Sequence, residues 1–227
     1  MSSQHLVYWE KQDRIGSIVL NSPPSNQMDR HFLNYLFDAI EKASHEVNHL
    51  GAIVIRSSGR HFSSGADLND IKKFVFEDIG GAGGETHFGN NVFRTSKAFE
   101  LLNNLPVPVI AAISGVCIGS GFELALAAHL RIAADNSVLG LPETTWNLMP
   151  GCAGTLRLTR IASTGLAHKY ILTGETFTAA DGWTMGAIDL ITGKNELQTA
   201  VFDLARKIID HGNTWIHSVM KEFNSLN

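Results

Sequence analysis

The segment from Pro108 to Glu143 constrains this chain most. It reads P-V-I-A-A-I-S-G-V-C-I-G-S-G-F-E-L-A-L-A-A-H-L-R-I-A-A-D-N-S-V-L-G-L-P-E. Val109 to Ile113 is a short, β-branched, apolar run of the kind that forms a buried strand. Gly115, Gly119 and Gly121 interrupt it. Phe122 to Ala128 is rich in Leu and Ala and predicts a helix. A strand, a glycine turn and a helix start leave unpaired backbone N–H groups at the positive end of the helix dipole. Such a start can hold an anion, or an oxygen that becomes anionic during a reaction.

Glu123 does not suit the packing of that helix. It stands among Phe122, Leu124, Ala125, Leu126 and Ala127. Burying a carboxylate in such company costs several kcal/mol on the order of magnitude unless it is paired or solvated. Two readings are open from the residues. Glu123 pairs with an arginine such as Arg131 or supports the helix start by its charge, or it faces a cleft beside an oxyanion site.

The 227 residues allow one domain, or one with an appendage. A net charge of -4 gives no basic footprint for nucleic acid. No apolar run is long enough for a membrane helix, and Met1 to Glu10 lacks the pattern of a secretory signal. Cys117 and Cys152 are too few for a disulfide framework, and neither has a CxxC partner, so a reduced, cytoplasmic setting is expected.

Along the chain, Leu6–Trp9 and Ile15–Leu20 predict strands joined by a polar turn at Lys11–Arg14. Asp29 is a candidate N-cap for a helix over Arg30–Val47, with an apolar stripe of Leu33, Leu36, Phe37 and Ile40. Ala52–Ile55 predicts a buried strand. In the stretch Ser57–Ile71, small residues and Gly65 allow close backbone approach to a ligand. Asp67 can cap a helix starting near Leu68, so a second N–H site is expected near Gly65 and Ala66. Glu77–Asn91 carries G-G-A-G-G without apolar periodicity and reads as a loop or lid. Phe93–Leu105 is amphipathic. Strands follow at Leu130–Ala134, Val138–Leu141 and Asp189–Ile191. Helices are expected after Gly154, over Gly165–Leu172, over Ala179–Met185 behind a Thr178 cap, and over Leu197–His211 and Trp215–Phe223. Alternating strands and helices imply an α/β fold with crossover connections.

Two motifs are set aside. His45-Glu46-Val47-Asn48-His49 matches the zinc-protease signature, but it ends a helix whose apolar stripe lies elsewhere, and no third ligand declares itself. Gly119-Ser120-Gly121 lacks the full nucleophile elbow, and nothing sets His129 and Asp135 as triad partners. Glu143, at the end of a short strand, gains interest from Glu123, because two carboxyls in different environments can divide acid and base duties.

Taken together, His61–Leu68 (H-F-S-S-G-A-D-L), Pro108–Ala125, Leu141–Leu158, Thr173–Asp189 and the opening Ile18–Asn26 resemble the crotonase superfamily of enoyl-CoA hydratases and isomerases. The likeness runs from about Ile15 to Phe223. It implies an α/β fold with a crotonase-like ββα spiral core over residues 1–190, holding the CoA and acyl site, and a short C-terminal helical region over 191–227, shortened relative to the family. It implies an oxyanion hole from the backbone N–H groups of Ala66 and Ser120. The family more often has glycine at the second of these positions, and serine keeps the backbone donor. It further implies Glu123 and Glu143 as catalytic residues, and CoA and substrate contacts from His61, Phe62, Ser64, Gly65, Ala66, Asp67, Leu68 and Gly119.

The implied reaction is reversible addition of water to a 2-enoyl-CoA thioester, giving a 3-hydroxyacyl-CoA. Glu123 would help activate water at C3 and Glu143 would exchange the proton at C2. No metal or redox cofactor is implied, CoA being part of the substrate. The implied partners are the acyl-CoA and further copies of the chain in a homo-trimer or hexamer, with no nucleic acid and no membrane. Isomerase or thioester-hydrolase chemistry, or a catalytically weak acyl-CoA-binding subunit, are the alternatives.

Overall fold

The computed structural model describes residues 5–67, 69, 71, 87–211 and 213–225. In chain order, β1 (Val7–Gln12), β2 (Ile15–Leu20), α1 (Arg30–Glu46) and β3 (Ala52–Ser57) come first. Next are α2 (His87–Asn103), β4 (Val109–Ile113), β5 (Val116–Ile118), α3 (Ser120–Ala127), β6 (Leu130–Ala134) and β7 (Val138–Gly140). A 3-10 turn (Pro142–Trp146), α4 (Gly154–Ile161), α5 (Thr164–Thr173), β8 (Phe177–Thr178) and α6 (Ala179–Thr184) follow. The last elements are β9 (Leu190–Thr192), α7 (Leu197–Asp210) and α8 (Asn213–Ser225).

Six strands form one sheet in the order β1-β2-β3-β4-β6-β9. Only the β1–β2 pair of this sheet is antiparallel; the others are parallel, with Ile53 opposite Val109 and Ile110 opposite Leu130. Side chains alternate between the faces of a strand, so each central strand feeds two cores. Ile53, Ile55, Val109, Ala111 and Ile113 join Phe32, Leu36 and Ile40 of α1 and Phe122 of α3. On the other face, Ala52, Val54, Ile110, Ala112 and Ile132 meet Leu197, Val201 and Ala205 of α7. Because β3 and β4 run parallel, their C-terminal ends open on the same side, where the loops after them converge. Ligands of open parallel sheets bind at that edge.

β5, β7 and β8 form a smaller sheet in that order. Its strands are two or three residues long, too short for periodicity to reveal. Single bridges, Ser63 to Cys117 and Met28 to Ala66, lace the loop after β3 to this sheet and to the start of α1. The α/β expectation therefore holds, with several boundaries moved. β1 extends to Gln12 because Glu10, Lys11 and Gln12 keep edge-strand pairing while pointing to solvent. α2 begins at His87, so the loop expected to reach Asn91 ends sooner. The Gly80–Gly84 stretch lies outside the described residues.

Caps behave as read. Asp29 Oδ1 accepts from Phe32 N–H at 2.8 Å. Thr178 and Asp181 form a reciprocal capping box. The His45–His49 region has a structural use: Glu46 accepts from the Trp9 indole at 3.1 Å and pairs with Lys11 at 3.0 Å, tying α1 to β1.

Candidate active site

Loop Ser58–Ala66 must lie against the Gly119 turn for a site to exist, and backbone chemistry holds it there. Ser63 N–H donates to Val116 O at 3.0 Å, and Ile118 N–H donates back to Ser63 O at 3.1 Å. Gly65 has φ 83°, a conformation that L side chains rarely adopt. A Cβ there would stand 2.8 Å from Ile118 O and 3.4 Å from Ser120 N. Glycine thus brings the two peptide segments into contact. Ala66 and Ser120 both line the cavity that results, and their N–H groups donate to no other protein group among the described residues. Ser120 opens α3, so its amide sits at the positive end of the helix.

Asn26 braces this arrangement. Its Nδ2 lies 3.0 Å from His61 O, 2.9 Å from Phe62 O and 2.8 Å from Ser57 Oγ, and its Oδ1 accepts from Ser22 N–H at 2.7 Å. Ser63 Oγ donates to Asn26 O at 2.8 Å and accepts from Gly65 N–H at 3.1 Å. Neither residue carries a sequence signal for this role. Asn26 follows two prolines in a polar loop, which marks a turn but not a brace.

The cavity has a volume of about 620 Å³. Ser64, Gly65, Ala66, Gly119, Ser120 and Glu143 form its polar side; Ile71, Val92, Trp146, Leu148 and Met149 form an apolar wall. Trp146 and Met149 do not stand out in the sequence, since exposed apolar loop residues carry no periodic signal. A second, mostly apolar cavity of about 540 Å³ lies between α8 and the ends of β4 and β6, and contains neither glutamate.

Glu143 reaches the cavity from the 3-10 turn, and a Cβ added to Gly119 would lie 3.2 Å from its Oε1. Its Oε2 is buried without a hydrogen-bond partner among the described residues. Burial, then the charge of Glu123, push its pKa up to about 8. Glu123 is completely buried and sits behind the cavity wall rather than on it. Its Oε1 accepts from Cys152 N–H at 2.7 Å and Gly154 N–H at 2.8 Å, while Oε2 has no partner among the described residues. Burial raises its pKa; those amides and the charge of Arg157 oppose the rise. Of the two carboxyls, Glu123 has the donors that favour an anion, and Glu143 has the environment that keeps a proton.

Glu123 neither pairs with Arg131 nor faces the cleft directly, the contacts that the two readings of the sequence expected. That arginine pairs with Asp189 at 3.1 Å and donates to Ala187 O and Ala128 O. His129 is no triad member: its Nδ1 accepts from Val109 N–H at 3.0 Å and its Nε2 lies 3.1 Å from Asn103 O. Burial lowers its pKa to about 4, so the ring is neutral. Among the expected CoA contacts, Phe62 is buried in the core, and its N–H and C=O are both taken by protein partners. His61 accepts from Val116 N–H at 3.0 Å and props the loop from behind. Asp67 Oδ1 accepts from Asn69 N–H at 2.6 Å, as a capping residue does. Leu68 lies outside the described residues.

Comparison with known proteins agrees with this geometry. A sequence model of the family described as enoyl-CoA hydratase/isomerase matches residues 10–226. The chain belongs to that family, within the crotonase superfamily. It is 33% identical over 208 residues to the YngF protein of Bacillus subtilis, covering 91% of this chain and 76% of that one. Its structure resembles Pseudomonas aeruginosa DspI with a TM-score of 0.87 and 29% identity, covering 100% of this chain and 83% of the other. It also resembles an enoyl-CoA hydratase of Bacillus anthracis, with a TM-score of 0.80 and 25% identity, over 97% and 89% of the two chains. The crotonase fold and an acyl-CoA-processing family are therefore shown for this chain. Among the described residues, no helix is long and apolar enough to cross a membrane.

Proposed function

We propose that this chain is a 2-enoyl-CoA hydratase. The observation that carries the reading is one cavity edged by two adjacent backbone donors, Ala66 and Ser120, and by the Glu143 carboxyl, with a second carboxyl, Glu123, buried behind its wall. In this reading the thioester oxygen accepts from both amides. Glu123 carboxylate takes a proton from water through Oε2, and the water oxygen bonds to C3. The electron pair of the C2–C3 double bond moves through the carbonyl carbon onto the thioester oxygen. Each donor there is worth about 2.7–4 kcal/mol in such sites. As the enolate collapses, Glu143 delivers its proton to C2. The net change is one water added; the proton gained by Glu123 and lost by Glu143 re-equilibrates with solvent.

The apolar wall of Val92, Trp146, Leu148 and Met149 suits an acyl chain. No redox or metal chemistry enters this scheme. Assembly into trimers or hexamers in the cytoplasm belongs to the same proposal, and light scattering tests the assembly. The reaction is tested by mass spectrometry on a panel of 2-enoyl-CoAs. Products heavier by one water support the hydratase. Products of unchanged mass with a moved double bond, or free CoA, would replace it with an isomerase or a hydrolase.

A further inference from the structure

The geometry points to Arg157 as a positioning residue that holds the turn presenting two amide donors to the Glu123 carboxylate oxygen. This rests on the hydratase reading for its consequence in catalysis, but the contacts stand by themselves. Arg157, on α4, donates from Nη1 to Cys152 O at 2.5 Å. Cys152 and Gly154 supply the only two N–H donors to Glu123 Oε1 among the described residues. Between them Ala153 has φ 66°, a left-handed conformation that an L residue does not choose unaided. The turn that presents both amides is thus held against its own backbone preference. The arginine is the side chain that clamps it. Gly154 fits because a Cβ there would lie 2.8 Å from Glu123 Oε1.

Charge acts in the same direction as the clamp. The groups facing Glu123 are Glu143 from the 3-10 turn, Cys152 from the loop and Arg157 from α4. Glu143 keeps its proton at neutral pH, and burial and the Glu123 charge push the Cys152 thiol well above neutrality. Among the described residues, that leaves Arg157 as the cation acting on Glu123. Its own surroundings include Glu100 of α2 and Arg160, which act on it in opposite senses. Removing Arg157 takes away a cation and frees the turn. Both changes favour the protonated form of Glu123, so the pH below which the base is lost must rise.

The test compares wild type with Arg157→Met and Arg157→Lys. Acid limbs of kcat/KM for a short enoyl-CoA are recorded, with near-UV circular dichroism and acetyl-CoA affinity as folding controls. Arg157→Met should move the acid limb up by about one pH unit, a tenfold loss at a fixed pH on that limb. Acetyl-CoA affinity should be unchanged, and Arg157→Lys should restore most of the shift. A substrate-free readout separates this proposal from the hydratase reading. The protonated-carboxyl infrared band that disappears in Glu123→Gln reports Glu123 directly. If its titration midpoint rises in Arg157→Met, the positioning role stands even should no enoyl-CoA be hydrated. Identical midpoints in wild type and Arg157→Met, or an unmoved acid limb in an active enzyme, would overturn it.

Discussion

Replacing Glu143 by Gln should stabilise the protein while abolishing hydration, and the gain should depend on pH. The carboxyl has a pKa of about 8 in the fold against 4.5 in the unfolded chain. Below pH 4.5 both states hold the proton, and the group costs nothing. Between 4.5 and about 8 the unfolded state releases it and the folded state does not, so wild-type stability falls as pH rises. Each unit is worth about 1.36 kcal/mol. At pH 7, two and a half units make a penalty of roughly 3 kcal/mol, saturating near 5 kcal/mol above pH 8. Gln carries no proton to lose and avoids the penalty. Urea unfolding of both proteins at pH 4, 7 and 9 should show a difference that is small, then clearly positive, then larger. A difference that stays flat across this range would refute the claim that burial holds Glu143 protonated.

Other outcomes follow from named contacts. Ser120→Pro removes one N–H at the first helical position, where proline is tolerated, and should cost about 10²–10³ in kcat with the fold intact. Ser120→Gly keeps the amide and should keep most of the rate; equal losses would assign the effect to the hydroxyl. Gly65→Ala meets both a positive φ and a Cβ 2.8 Å from Ile118 O, so a loss of about 1–3 kcal/mol in thermal or chemical unfolding is expected. Arg131→Met should cost about 3–5 kcal/mol, since it takes the guanidinium from Asp189 and leaves several buried carbonyls without a donor; a near-neutral result would mean water replaces the guanidinium. In kinetics, kcat should fall as pH rises through about 8, because Glu143 then loses the proton it must donate.

Much of this arrangement is legible in the residues alone. Repeated apolar runs of β-branched residues mark β2, β3, β4 and β6, and the amphipathic stripe and Asp29 cap mark α1. The glycine turns at Gly65 and at Gly119 point to backbone donors, and a lone acid in an apolar helix points to Glu123. What local patterns miss are relations made by long-range contact. Nothing near Glu123 in sequence says that its partners are amides 29 and 31 residues away. The two-residue β8 and three-residue β5 are too short for a period. Asn26 and Ser63 act by bonding loops that lie 36 or 37 residues apart, and a polar loop residue gives no sign of that. The pairing of Arg131 with Asp189 is equally out of reach, because α3 offers a nearer acid.

The proposed hydration depends on a thioester oxygen shared by the amides of Ala66 and Ser120. Isotope-edited vibrational spectroscopy of a bound enoyl-CoA labelled at its carbonyl reads that contact directly. The carbonyl stretch should move to lower frequency on wild-type protein than in water, and move back part of the way on Ser120→Pro. A stretch that is the same in water, on wild type and on Ser120→Pro would contradict it.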